Sequence, residues 1–171
     1  MNDPAAFLVA RQGATVFVRS LGLANMKNAP MLDAFLQAEI VEVATTVCVD
    51  LSACNGMDST FMGLLVGYSQ QLARTGGRVV VVNPTEQNRR LLDMLGVSTV
   101  LPVIAQEAPL QLEFVSLPAG IAMNPAQRIE LVRRAHQNLV ALTPANQARF
   151  SAFLSALEGD LQRLRGGGSH G

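Results

Sequence analysis

The sequence predicts an α/β fold: a mixed β-sheet packed by helices, with a two-helix hairpin added at the C-terminal end. Three observations carry that expectation. Residues 45–51 and 78–82 are β-branched, apolar runs with the length and composition of interior strands, and a segment of helical spacing separates them. Strands that alternate with helices in this way build a sheet with parallel members. Two late segments, at Asn124-Pro125 and Thr143-Pro144, each pair a capping side chain with a proline in the first turn, which is how helices begin.

The elements follow in order. Residues 7–11 and 15–19 alternate or run apolar around Gln12-Gly13-Ala14, the pattern of a hairpin. Residues 28–42 place Met31, Leu32, Phe35, Leu36 and Ile40 at helical spacing. After the strand at 45–51 comes a helix at 59–74, closed by Gly76-Gly77, and then the four-valine strand at 78–82. Asn83-Pro84-Thr85-Glu86 reads as a helix start with Asn83 as cap, and that helix runs to Gly96. Strands are expected near 100–104 and at 110–115. Of the last two helices, the first carries Ile129, Val132, Ala135, Leu139 and Leu142; the second carries Phe150, Phe153, Leu154, Leu157, Leu161 and Leu164 as one stripe. The expected organisation is a domain over 1–122, a helical hairpin over 123–165 and a flexible Gly-rich tail over 166–171.

Composition narrows the function. Apolar residues make up 49% of the 171-residue chain and charged residues 15%, with Lys+Arg 13 against Asp+Glu 13. A surface so poor in charge favours association. Net neutrality argues against general nucleic-acid binding, which depends on neutralising phosphates. No apolar run reaches the roughly 18 residues that cross a bilayer, and residues 1–8 lack the basic start of a secretory leader, so a cytoplasmic protein without direct membrane insertion is expected. Cys48 and Cys54 fit neither a redox pair nor a zinc pattern; both are read as reduced, Cys48 in the core and Cys54 in a loop. No metal and no cofactor are expected. His136 stands alone outside the tail and reads as a surface or packing residue rather than a ligand. The neutral total hides an asymmetry: residues 1–123 hold 7 basic and 10 acidic groups, and 124–165 hold 6 basic and 3 acidic.

The segment from Val49 to Tyr68 carries the functional information. A buried strand runs into a short loop, and Asp58-Ser59 falls where the next helix begins. The first N–H groups of a helix lack partners and the helix dipole is positive there, so the position tolerates an anion. The plain reading of Ser59 is a cap; a phosphate on it would add about −1.5 to −2 charge to a nearly neutral surface. At about 100° per residue, the apolar positions of this helix span about 200°, wider than the stripe that one core contact needs. Part of that arc must lie under the C-terminal helices or remain as an interaction patch. Gly63 and Gly67, four apart, would let another backbone come close, either within the fold or in a partner.

Val49-Asp50-Leu51-Ser52, then Met57-Asp58-Ser59-Thr60, Gly63, Gly67-Tyr68 and Gly76-Gly77, resemble the STAS domain of bacterial anti-sigma factor antagonists. Arg90-Leu91-Leu92-Asp93-Met94-Leu95-Gly96-Val97 resembles a later helix of the same family, and the likeness covers roughly residues 5–104. The resemblance implies a STAS-type fold and a binary switch that is not an enzyme. It implies phosphorylation at Ser59, with Thr60 as the weaker candidate, by a serine kinase that doubles as the anti-sigma factor, and reversal by a phosphatase. It places Asp58, Phe61, Met62, Gly63 and Asn25 on the partner-binding side. Two places differ from the family pattern: Phe61 stands where a glycine is usual, and Leu23 and Asn25 replace two acids of the partner-facing rim. Two other readings stay open. The domain could be a constitutive scaffold, as in stress-signalling or transporter complexes, with Ser59 only a cap. It could instead bind a small anionic ligand near the helix start. A homodimer through the C-terminal helices is compatible with each.

Overall fold

The computed structural model describes residues 5–42, 44–107, 111–120 and 122–167. The chain opens with strands β1 (Ala6–Gln12) and β2 (Thr15–Ala24), an antiparallel hairpin, and crosses through α1 (Ala29–Glu42) to β3 (Thr46–Asp50). A short strand β4 (Cys54–Met57) leads into α2 (Ser59–Ala73), followed by β5 (Arg78–Val82) and α3 (Glu86–Met94). Two-residue strands β6 (Val103–Ile104) and β7 (Val115–Ser116) complete the sheet, and α4 (Pro125–Val140) and α5 (Pro144–Gly166) form the hairpin.

The sheet order is β6-β5-β3-β2-β1-β7. β2, β3, β5 and β6 run parallel, and the two pairs involving β1 are antiparallel. This is the mixed sheet that the strand and helix alternation predicts. β2 is longer than the expected 15–19 because its far end also pairs with β4, after a register shift at Gly22, whose φ of +71° suits the break. On one face Val16, Val18, Val47, Val49, Val79 and Val81 meet Leu32, Leu36, Phe61, Leu65 and Leu72 from the helices in one core. Cys48, Val80 and Val82 pack with Phe17 on the other face.

Four expectations change. Cys54 lies in β4, buried, rather than in a loop, because residues 54–57 find an open edge at the end of β2 that no local pattern announces. Asn83 is not a helix cap: it takes φ 53°, and its side chain bonds both to the Gln106 carbonyl and from the Gln106 amide. Thr85 caps α3 instead, accepting from the Asn88 amide. The strand expected near 100–104 shrinks to Val103–Ile104, since Val97–Thr99 forms a turn of 3₁₀-helix. The strand expected at 110–115 is Val115–Ser116, with residue 110 outside the described residues.

The hairpin starts are as the capping signals indicate. Asn124 and Gln127 form a reciprocal capping box at α4, and Thr143 caps α5. Buried Asn146 donates from its side-chain nitrogen to the Leu95 and Leu139 carbonyls, both at 2.8 Å, which ties the start of α5 to the ends of α3 and α4. α4 then lies against α2.

Candidate functional site

The end of β4 aims the chain at the first turn of α2, and Asp58 fixes that turn. Its backbone is extended (φ −106°, ψ 176°), and one carboxylate oxygen accepts from the Phe61 amide at 2.9 Å. The other oxygen accepts from the Met26 amide at 2.8 Å, which pins the loop before α1 to the start of α2. Asp58 is therefore the N-cap, and Ser59, expected as the cap, is the first helical residue. A cap side chain bonds back to the N2 or N3 amide; Asp58 already fills that role, which leaves the Ser59 hydroxyl available for something else.

That hydroxyl lies 2.8 Å from Nε2 of His136, on α4. The other ring nitrogen, Nδ1, lies 2.7 Å from the Val132 carbonyl. A carbonyl can only accept, so Nδ1 carries the hydrogen, Nε2 presents its lone pair, and Ser59 donates. His136 is buried, at 3% exposure, with Phe150 and Phe153 of α5 edge-on to its ring at 5.0 and 4.8 Å. Burial lowers its pKa below the ordinary histidine value, opposed in part by the Val132 carbonyl and the Asp58 charge. The imidazole is thus held neutral against a half-buried serine.

The remaining expected site residues are placed as follows. Thr60 is buried, so Ser59 is the more accessible hydroxyl. Phe61 is fully buried and its ring stacks on Phe7 at 6.0 Å, so the side chain faces the sheet. Met62 and Gly63 are covered as well. A Cβ added at Gly63 would fall 2.1 Å from the Ala135 carbonyl oxygen, so glycine is what lets the backbone of α4 approach. The Asn138 side chain donates to the Gly63 carbonyl at 3.0 Å. The broad apolar arc of α2 is accounted for by the sheet on one side and α4 on the other. Asn25 is half-buried and shapes the turn before α1, with its side-chain oxygen accepting from the Lys27 amide. In this conformation an incoming protein finds Leu23 and Met26 exposed beside Asp58, while Phe61, Met62 and Gly63 lie beneath the chain's own surface.

Reasoning from sequence missed two members of this site. His136 was legible in hindsight as a polar residue in the apolar stripe Val132, Ala135, Leu139, a position that demands a hydrogen-bond partner. The second is the junction of Asp33, Tyr68 and Arg134. Arg134 on α4 donates to both carboxylate oxygens of buried Asp33 on α1 at 2.8 Å, and the Tyr68 hydroxyl of α2 bonds to the same carboxylate. Burial, and then the Asp33 charge, push the Tyr68 pKa up. Among the described residues no three His, Cys, Asp or Glu side chains are grouped so as to hold a metal ion, and no helix is long and apolar enough to cross a membrane.

Comparison with known proteins adds the lineage. The family model for the STAS domain matches residues 8–109. An anti-sigma F factor antagonist of Lysinibacillus sphaericus is 28% identical over 83 residues, covering 48% of this chain and 71% of that protein. The fold is shared with the Bacillus cell fate determinant SpoIIAA in its phosphorylated form, with a TM-score of 0.51 and 23% identity over 59% of this chain and 92% of that one. An anti-sigma factor antagonist from Mycobacterium paratuberculosis gives a TM-score of 0.55 and 23% identity, over 62% and 90% of the respective chains.

Proposed function

Because the chain belongs to the STAS domain family, and within it is like the anti-sigma factor antagonists, we propose that it is a cytoplasmic regulatory switch controlled by phosphorylation of Ser59. The protein binds an anti-sigma factor that is also a serine kinase, is phosphorylated by it and released, and is reset by a phosphatase. It does no catalysis of its own. The unit that does this is residues 1–122, with the hairpin at 123–165 as an extension. The observation that carries the reading is the position of Ser59 as the first residue of α2, capped by Asp58 rather than by itself. A phosphate there meets the positive end of the helix dipole, so the start of α2 favours its charge, while Asp58 alongside raises the local negative charge that a partner must face.

The test uses the purified protein, a serine kinase of the anti-sigma type and ATP. Wild type takes up one phosphate, found by mass spectrometry on Ser59, and Ser59→Ala takes up none. Immobilised wild type captures the kinase and Ser59→Asp does not. Equal labelling of Ser59→Ala would sink the assignment.

A second reading has its own support. The Ser59 hydroxyl already donates to His136, so its role could be structural within a constitutive scaffold. Partner capture that is insensitive to Ser59→Asp would favour it.

A further inference from the structure

The Ser59 hydroxyl lies in the contact between α2 and α4, and this has a mechanical consequence. Its hydrogen points at Nε2 of His136, 2.8 Å from the oxygen. A phosphoryl group takes the place of that hydrogen, with a P–O bond of about 1.6 Å by ordinary covalent geometry, so in this rotamer it would occupy the space of the imidazole ring. In the rotamer that bonds His136, a transferred phosphate has no room while α4 is seated.

The contact shares the main core through Leu131, Val132, Ala135 and Leu139. Beside that apolar cover it has a glycine meeting a backbone, Gly63 against Ala135, and three polar links that a charge can disturb: Ser59 to His136, Asn138 to the Gly63 carbonyl, and Arg134 to Asp33. The charges agree, with the net −3 of residues 1–123 against the net +3 of 124–165. The site opposes return once Ser59 is modified. In the unmodified protein the ring that would face the phosphate is neutral and offers a lone pair, Asp58 stands beside it, Arg133 is bonded to Glu130, and Arg134 is bonded to Asp33.

We propose that the α4–α5 hairpin is an autoinhibitory lid on α2, latched by the Ser59–His136 hydrogen bond, that must lift for Ser59 to be phosphorylated and cannot reseat while the phosphate remains. The lid converts phosphorylation into exposure of the α2 face at Met62, Gly63 and Gly67. This rests on the reading of Ser59 as the phosphate acceptor, but its first test needs no kinase.

Spin labels on Arg89→Cys of α3 and Ser155→Cys of α5, both exposed positions, report docking in the full chain, since Cys48 and Cys54 are buried. Unmodified protein gives one narrow distance. Ser59→Glu, Arg134→Glu and Gly63→Leu give broader, longer distributions. Arg134 is 44% exposed, so reversing its charge unpairs Asp33 but removes no apolar packing, which keeps a test in hand if Gly63→Leu fails to fold. A narrow, unchanged distance in Ser59→Glu overturns the latch.

The second arm is a lock. A Cβ at Gly67 would lie 2.5 Å from Asn138 Nδ2 and 3.4 Å from its Cγ, so cysteines at the two positions meet. With an undocked population of about 0.1–10%, Arg134→Glu raises the Ser59 phosphorylation rate on the order of tenfold. The oxidised Gly67→Cys/Asn138→Cys protein takes up no phosphate until reduced. Equal labelling of locked and reduced protein overturns the lid. If no variant is labelled, the acceptor reading fails while the distance measurement still decides whether the hairpin lifts.

Discussion

Replacing His136 isolates the energetics of the α2–α4 contact. His136→Ala removes a ring that touches Phe150 and Phe153 edge-on and accepts a hydrogen bond from Ser59. Aromatic pairs are worth about 0.5–1.5 kcal/mol each, and a hydrogen bond about 1 kcal/mol net. Ser59 is half-buried and regains water, so no desolvation penalty is added for it. The expected loss is about 2–4 kcal/mol, within the range for truncating a buried side chain, read as a lower urea midpoint at unchanged slope. His136→Phe restores the ring contacts and loses the hydrogen bond, at a cost of about 1–2 kcal/mol. The pair also separates packing from titration. Burial lowers the pKa of His136 in the folded state, so below roughly pH 6.5, the free histidine value, the unfolded chain takes up a proton that the folded chain resists. Stability contributed by the neutral ring is complete above that pH and falls as pH drops through the window, by at most about 1.4 kcal/mol per unit. His136→Phe lacks this component, so its deficit relative to wild type shrinks between roughly pH 6.5 and 5. Parallel loss of stability in the two proteins over that range would refute the buried neutral imidazole. A cost below about 0.5 kcal/mol for His136→Ala would refute the packing.

Two further outcomes follow from burial. Phe61→Ala, at a position that resemblance alone placed toward a partner, removes a fully buried ring stacked on Phe7; it lowers stability by about 3–5 kcal/mol in urea melts, and a folded variant with wild-type stability would return Phe61 to the surface. The Cys48 thiol is pushed up to about 11 by burial and then by Asp50, and Cys54 is buried in β4. At pH 8 neither reacts with a thiol reagent in the native protein and both react in denaturant; prompt native labelling contradicts this.

The strands and helices that carry their own signal were legible. The valine run of β5, the helical spacing of α2, and the proline-capped starts of α4 and α5 depend on neighbouring residues alone. β4 was not, because Cys-Asn-Gly-Met has no strand pattern and pairs only where β2 outruns β3. Asn83 misled because the Asn-Pro dipeptide that starts α4 is here a turn, held by Gln106 23 residues later. At the site, Asp58 and Ser59 were visible as a helix start, but which one caps depends on a three-dimensional competition that Asp58 wins by also holding Met26. His136 and Arg134 were out of reach for the same reason, since their partners Ser59 and Asp33 lie 77 and 101 residues away.

The breadth of the apolar arc on α2 bears on what a partner must look like. One side is spent on the sheet through Phe61, Leu65 and Leu72, and the other is closed by α4. Lifting the hairpin strips water-excluding cover from Met62 and Leu64, at about 1.5–3 kcal/mol for each side chain fully re-exposed. The open form is therefore costly unless another surface replaces α4. Whatever replaces it inherits the same geometry: a backbone able to close on Gly63, a donor for the Gly63 carbonyl, and a cation for Asp33, which is otherwise left buried with only the Tyr68 hydroxyl and the Gln37 amide as neutral side-chain donors among the described residues. A helix with a small residue at the crossing, an arginine just before it and an amide side chain about one turn after it meets all three conditions, as α4 does with Ala135, Arg134 and Asn138. Under the lid proposed above, partner binding and hairpin release would be a single exchange, in which one helix takes the place of another and a phosphate on Ser59 decides which of the two can sit down.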